Sequence, residues 1–313
     1  MKLIKQSFEL IQQEDYSIVS IKKFIERCGR LCYKSEDRIT DTSYISFVDM
    51  LEKKDHSRVL EMGTVHLRMS KARYEELREI LCDNNLYNSV WMKYRVSTTN
   101  ITFITLNYRY YLEIIKLLDT IKSSFDIESY FTTEDNIMYP KRVAVHFITN
   151  RAIMDEFRTH VTFSSVAEST RYCNFSLNKF NNEITFIKPY WCQKLKTGYY
   201  NVLDYTLMYE GKSFKPTLDD NSYTLGNKKF IRELCNIEEK YLRLIQDYKY
   251  KPQEARDILP LSVKSEVILC GFLDAWDNFF YRRCAKDAHP MARELALQVE
   301  AEFKEHGFYY NFK

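Results

Sequence analysis

Glycine is scarce, with 7 residues in 313. The chain contains neither G-x-G-x-x-G nor G-x-x-x-x-G-K-[ST], so the glycine-rich cradles of dinucleotide and nucleoside-triphosphate folds are excluded. No run approaches 18 apolar residues, and Met1-Lys2-Leu3-Ile4-Lys5 is not followed by the apolar stretch of a signal peptide. The reading is therefore a cytoplasmic protein with no membrane segment. Charge of one sign is also lacking. The net charge of +3 is too small for a nucleic-acid coat or a polybasic anchor, although 24 Tyr and 20 Phe offer many stacking surfaces. No nucleic-acid partner is expected.

Paired metal-ligand spacing is absent too. Of eight cysteines, only Cys28 and Cys32 lie close together, in C-G-R-L-C, and no second C-x-x-C or H-x-x-x-H accompanies them. Four apart on a helix, the two thiols share a face, and scattered reduced cysteines account for all eight. No metal is expected.

Apolar residues at 45% and charged residues at 28% suit one large globular domain spanning 1–313. Ile18, Ile21, Phe24, Ile25, Cys28 and Leu31 recur at helical spacing within 15–34, and a second helix is predicted over 42–53, capped by Asp41 or Thr42. "SRVLEMGTVHLRMS" begins helical and then alternates as a strand. Helices are predicted over 73–82 and in "LNYRYYLEIIKLLDTI". "RVAVHFIT" alternates as a strand, and Asn150 caps the helix from Arg151 whose apolar face is Ile153, Met154, Phe157 and Val161. "NEITFIKPYW" is another strand, whereas 194–228 reads as a long surface loop. "KKFIRELCNIEEKYLRLIQDY", "SEVILCGFLDAWDNFFYRRC" and "PMARELALQVEAEFKEHG" complete a helical C-terminal third. The expected class is α+β, with a central, mostly antiparallel sheet flanked by helices.

One stretch carries chemistry. In "EFRTHVTFSSVAESTRYCN", Ser169 and Thr170 precede Arg171 beyond the end of a helix. Hydroxyls, backbone N–H groups and a guanidinium together hold a phosphate or a carbonyl edge. Arg256 in "QEARDILP" and Arg283 in "NFFYRRC" have similar settings, although singly each reads as a surface ion-pair partner. No Ser/His/Asp triad is legible, and nothing flanking Cys173 marks it as a nucleophile.

The same stretch resembles the signature of the flavin-dependent thymidylate synthases, in which Arg-His-Arg is followed after seven residues by Ser and then by x-Arg-Tyr. Without gaps, Thr159, His160 and Val161 fall on the triplet, Ser169 on the serine, and Arg171 and Tyr172 on the arginine and tyrosine. "DHSRVLEM" resembles the family's Gly-His-x-x-x-x-Glu-His, keeping His56 and Glu61 but with Met62 at the second histidine. "EARDILP" and "NFFYRRCAKDAHP" resemble its C-terminal motif, and "STTNITFITLNYRYYLE" lies in an insert over 70–142 typical of longer members.

The resemblance implies reductive methylation of dUMP to dTMP with methylenetetrahydrofolate, FAD and NADPH, in a homotetramer whose sites form between subunits. It implies Ser169 and Arg171 as catalytic groups and Ser169, Arg171, Arg256, Arg283 and Glu156 as dUMP ligands. His160, His56, Glu61, Asn278, Thr159 and Val161 fall on the flavin side. There, two arginines have become Thr159 and Val161. Charge-assisted hydrogen bonds contribute about 1.5–3 kcal/mol each, so losing both weakens a flavin site by about two to four decades unless other groups replace them. The alternative is a pyrimidine-nucleotide-binding homologue without flavin chemistry, acting as a regulator or as a partner in a hetero-oligomer.

Overall fold

The computed structural model describes residues 1–54, 57–171, 173–177, 180–192, 195–214 and 222–308. The chain begins with β1 (Lys2–Ile4), β2 (Ser7–Ile11), α1 (Ile18–Tyr33), α2 (Ser43–Lys53), α3 (Ser57–Leu60), β3 (Thr64–Ser70) and α4 (Lys71–Asp83). The middle holds β4 (Met92–Val96), β5 (Ile101–Asn107), α5 (Tyr108–Thr120), β6 (Phe131–Thr132), β7 (Arg142–Asn150), α6 (Arg151–Arg158), β8 (Ser164–Ala167) and β9 (Thr185–Ile187). Then come β10 (Gly198–Leu203), β11 (Thr206–Tyr209), β12 (Lys212–Ser213), α7 (Ser222–Gln246), α8 (Pro252–Ala255), β13 (Lys264–Phe272), α9 (Leu273–Arg283) and α10 (Pro290–Glu305). The architecture is α+β, with mostly antiparallel sheets flanked by helices; β1 and β9 pair parallel.

The strands form three sheets, ordered β12-β11-β10-β1-β9, β2-β7-β13-β8 and β4-β5-β3-β6. The second positions the candidate site. β13 lies between β7 and β8, antiparallel to both, with Asn150 opposite Lys264 and Arg142 opposite Phe272. Because strand side chains alternate, Val143, Val145, Phe147, Val267 and Leu269 face one way, toward α6, α9 and α10. Ala144, Val166, Ile268 and Cys270 face the other way, into a core shared with α1 and the third sheet.

Helix starts follow their caps. Asn150 accepts from the Ile153 N–H at 2.9 Å, Ser17 from Ser20 at 3.2 Å and Asn107 from Tyr110 at 2.8 Å, each satisfying a donor that the first turn leaves unpaired. Thr42 occupies the cap position of α2 without a side-chain bond.

Several expectations change. The stretch 265–272, predicted helical, lies in the central strand β13. A continuous apolar run buried on both faces has no alternation to distinguish it from a buried helix. The span 194–228 is not one loop: β10, β11 and β12 extend the first sheet from β1, and α7 begins at Ser222. Six further strands were unread in the sequence: β1 and β2 at the start, β4 and β5 before α5, and the short β6 and β8. Val161 does not continue the apolar face of α6. The helix ends at Arg158, and Val161 is 88% exposed.

Candidate functional site

β7 and β13 run antiparallel, and each passes directly into a helix, α6 after Asn150 and α9 after Phe272. The two helices therefore start at opposite ends of the strand pair. Both lie on the same face, where Phe147 packs against Phe157, Trp276 and Phe279. Their C-terminal turns meet over the sheet, and Arg283 joins them. Its Nη1 donates to Glu156 Oε2 at 2.8 Å, and Nη2 donates to Glu156 O at 2.8 Å and Thr159 Oγ1 at 3.2 Å. Its Nε donates to His160 Nε2 at 2.9 Å. A guanidinium suits this place because the last turn of α6 presents unpaired carbonyls and the negative end of the helix dipole.

The bond from Arg283 fixes the state of His160. A ring nitrogen that accepts carries no proton, so the proton of the neutral ring is on Nδ1. Burial lowers its pKa to about 4, helped by the neighbouring Arg283 and Arg282. His160 also packs on Phe279, with centroids 5.1 Å apart. Thr159 donates to Glu156 O at 2.7 Å, and Asn278 accepts from Arg282 Nε at 3.0 Å. Glu156, Thr159, His160 and Arg283 thus form one self-satisfied latch.

A second group lies where β8 ends. Glu168 N–H donates to Glu266 O at 2.8 Å, extending the pairing by one residue. Ser169 N–H reaches Cys32 O at 3.1 Å on α1, and Cys173 N–H returns to Ser169 O at 3.1 Å, closing a turn around Thr170 and Arg171. Arg256 Nη1 donates to Thr170 Oγ1 at 3.2 Å. Arg171 is exposed, whereas Ser169 and Thr170 are half-buried.

Beneath that turn is an ion network that sequence reasoning missed. Lys264 pairs with Glu266 and lies 2.9 Å from Glu168 Oε2. Neither Glu168 oxygen has an aligned hydrogen bond, so that contact is one of charge alone. Glu266 also takes Lys34 at 2.6 Å and His146 Nε2 at 2.8 Å. Burial alone raises a carboxyl pKa, but the His146 bond and the two lysines outweigh it and hold Glu266 well below the ordinary range. Burial likewise lowers an ammonium pKa, and Glu168 and Glu266 outweigh it at Lys264. The signal was present: in "KSEVI", Lys264 and Glu266 are two apart and share one face once the segment is read as a strand. Cys173 beside Glu168 is pushed up to about 12, chiefly by burial, so its thiol is inert at neutral pH.

The remaining candidates stand apart. Glu61 is buried and accepts from Arg109 Nη1 at 2.8 Å, while its carbonyl accepts from Arg142 Nη2 at 2.9 Å. Arg142 also donates to Ser164 Oγ at 3.4 Å, tying that segment to β8. His56 and Tyr172 lie outside the described residues. A cavity of about 320 Å³ touches the motif through Thr162; another, of about 520 Å³, is lined by Tyr16, His66, Tyr139 and Lys141.

The model of the family described as thymidylate synthase complementing protein matches residues 142–306, more than half of the chain, and the chain belongs to this family. Among solved structures, it is similar to the UMP/dUMP methylase PolB from Streptomyces cacaoi bound with 5-Br UMP. That match has 13% identity and a TM-score of 0.41, covering 97% of this chain and 92% of that one. The same enzyme bound with 5-Br dUMP matches at 15% identity and a TM-score of 0.40, covering 97% and 93%. These are distant likenesses. No curated protein matches the sequence significantly.

FAD, the cofactor the family resemblance implies, does not fit the residues assembled at the latch. Thr159 and Val161 bring no charge, Arg283 is taken up by α6, and Asn278 Oδ1 is occupied by Arg282. Among the described residues, Thr159, Val161 and Arg283 therefore bring no uncommitted cation to a dinucleotide's pyrophosphate.

Proposed function

We propose that the protein is a thymidylate synthase-type methyltransferase that binds a pyrimidine nucleotide of the dUMP class and takes its one-carbon unit from methylenetetrahydrofolate. The observation that carries this is the turn at Ser169, Thr170 and Arg171, held by backbone bonds to α1 and β13 and joined by Arg256. Two hydroxyls and the Arg171 guanidinium on the turn, with the Arg256 guanidinium bonded to it from outside, match a phosphate monoester, whose oxygens accept several charge-assisted hydrogen bonds. The ion network anchors Glu168, the residue from which the turn departs. Arg283 and Glu156 would complete the uracil side only after the latch on α6 opens.

In the family, reduced FAD supplies the hydride and NADPH reduces the flavin. On this reading the missing flavin contacts come from outside the latch, and a second copy in a homotetramer with shared sites is one source. A second reading is favoured by the saturation of Arg283: a pyrimidine-nucleotide-binding homologue without flavin chemistry. Two measurements separate them. The visible spectrum of protein soaked in FAD and desalted tests the cofactor, and tritium release from 5-labelled dUMP tests the chemistry. Retained flavin with tritium release supports the enzyme. Heat on dUMP binding with neither signal supports the second reading, and no dUMP binding contradicts both.

A further inference from the structure

The cavity of about 520 Å³ shares no wall residue with the nucleotide turn or the latch. Its wall contains His66, on β3, which is 2% exposed. The ring is sandwiched between Tyr16 and Tyr139, with centroids 3.6 and 3.9 Å away. Nδ1 lies 3.1 Å from Glu134 O. A carbonyl only accepts, so Nδ1 carries the proton and Nε2 holds a lone pair. Burial keeps the ring neutral, with its pKa lowered to about 4. Both faces and Nδ1 are covered, so the edge that meets the cavity is the one bearing Nε2. Nε2 has no hydrogen-bond partner among the described residues. Packing accounts for the stacked ring and for Nδ1. It does not account for a buried acceptor turned toward open space.

The charges of the wall narrow the ligand. Among the described residues they are Arg95, Lys141 and Asp135, two cations against one acid. Ile137 O accepts from Arg95 Nη1 at 3.0 Å and so positions the guanidinium without cancelling its charge. Lys141 Nζ stands 4.8 Å from the centre of the Phe308 ring. A surplus of one positive charge matches a carboxylate better than a phosphate monoester, which carries about −1.5 to −2 at neutral pH. Nε2 calls for an O–H or N–H close to that carboxylate. Tyr139, Pro140 and Leu273 give the rest of the ligand an apolar wall. The volume falls within the range of small-molecule sites.

We propose that this cavity binds a small carboxylic acid with an apolar body and a hydroxyl or amino group beside its carboxylate, the chemistry shared by 2-hydroxy acids and α-amino acids. The carboxylate meets Arg95 and Lys141, and the O–H or N–H donates to His66 Nε2. The ammonium of an amino acid also finds Asp135. None of this draws on the nucleotide turn, so the site stands or falls separately from the function proposed above.

L-Phenyllactate and L-phenylalanine, titrated separately into the full chain by calorimetry, distinguish the two sources, and 3-phenylpropionate is the control that lacks the donor. At least one of the first two is expected to bind, with 3-phenylpropionate about tenfold or more weaker. His66→Phe keeps a flat ring between the tyrosines and removes the acceptor, so it should bring that acid down to the level of the control. Lys141→Met, at an exposed position, should weaken binding about tenfold or more. Ile137→Trp, at a wall residue 90% exposed, should abolish it by filling the space. The last two variants decide the matter if His66→Phe does not fold, which its urea midpoint shows. Binding of neither acid overturns the site. So does equal binding of 3-phenylpropionate, or binding that Lys141→Met and Ile137→Trp both leave intact.

Discussion

Arg283 shows how one residue type serves different ends in different surroundings. Its fork is spent on Glu156, Thr159 and His160. A threonine at 159 permits this, because its hydroxyl accepts from a guanidinium that a second arginine would repel. Arg283→Ala removes the clamp and leaves a partly buried carboxylate unpaired, so stability should fall by about 2 kcal/mol in urea denaturation. No change in the midpoint would mean that the latch contributes nothing. His160 gives the pH dependence. Its pKa, lowered from 6.5 to about 4, means that the folded chain binds fewer protons than the unfolded one between those values. The contribution is complete above pH 6.5 and is lost as the pH falls through 4. His66, also lowered to about 4 by burial, acts in the same window. His160→Asn should flatten the fall of stability with acid, and an unchanged pH profile would contradict this assignment. The residues of this latch were visible in sequence as an aligned motif, but their mutual bonding was not. Nothing in linear spacing brings position 283 to 156; the antiparallel pairing of β7 with β13 does.

At the scale of elements, β13 joins the two groups, pairing with both β7 and β8. It carries Lys264 and Glu266 on the α1 face and leads into α9 at its far end. Gly271 sits where an added Cβ would lie 2.5 Å from the Phe163 ring, just before β8. Gly271→Ala should therefore cost about 1–3 kcal/mol by overpacking, read as a lower denaturation midpoint with an unchanged slope. A neutral result would mean that Phe163 yields freely. Lys264→Met leaves Glu168 and Glu266 without their shared cation, and a loss of about 3–5 kcal/mol is expected in the same assay. A stability gain would show that the network is dispensable. Helices with a polar face, such as α1, α5 and α7, were legible because burial on one side writes a 3.6-residue period into the sequence. β13 was not, since burial on both sides removes alternation. β10 to β12 were also missed: their outer residues are exposed, and Leu203 and Tyr205 sit in a polar stretch resembling a loop.

For the whole molecule, three packed clusters divide the work. One carries the latch on the α6 and α9 face. The second fills the opposite face of the same sheet up to α1. The third joins the first sheet to α7. No helix among the described residues is long and apolar enough to cross a membrane, and no group of His, Cys, Asp and Glu among them is placed to hold a metal. The family was legible because its motifs recur in order along the chain. The condition of the site was not, because ligation of the latch by its own residues is a property of the assembled sheet. The turn at Ser169–Arg171, with Arg256, is the seat proposed here for a nucleotide phosphate. Calorimetric titration of the full chain with dUMP tests this directly, alongside deoxyuridine and the Arg256→Ala variant. Saturable heat with dUMP is predicted, with affinity about tenfold or more lower for both the phosphate-free nucleoside and the variant. No heat with dUMP, or equal affinity across all three, would contradict it.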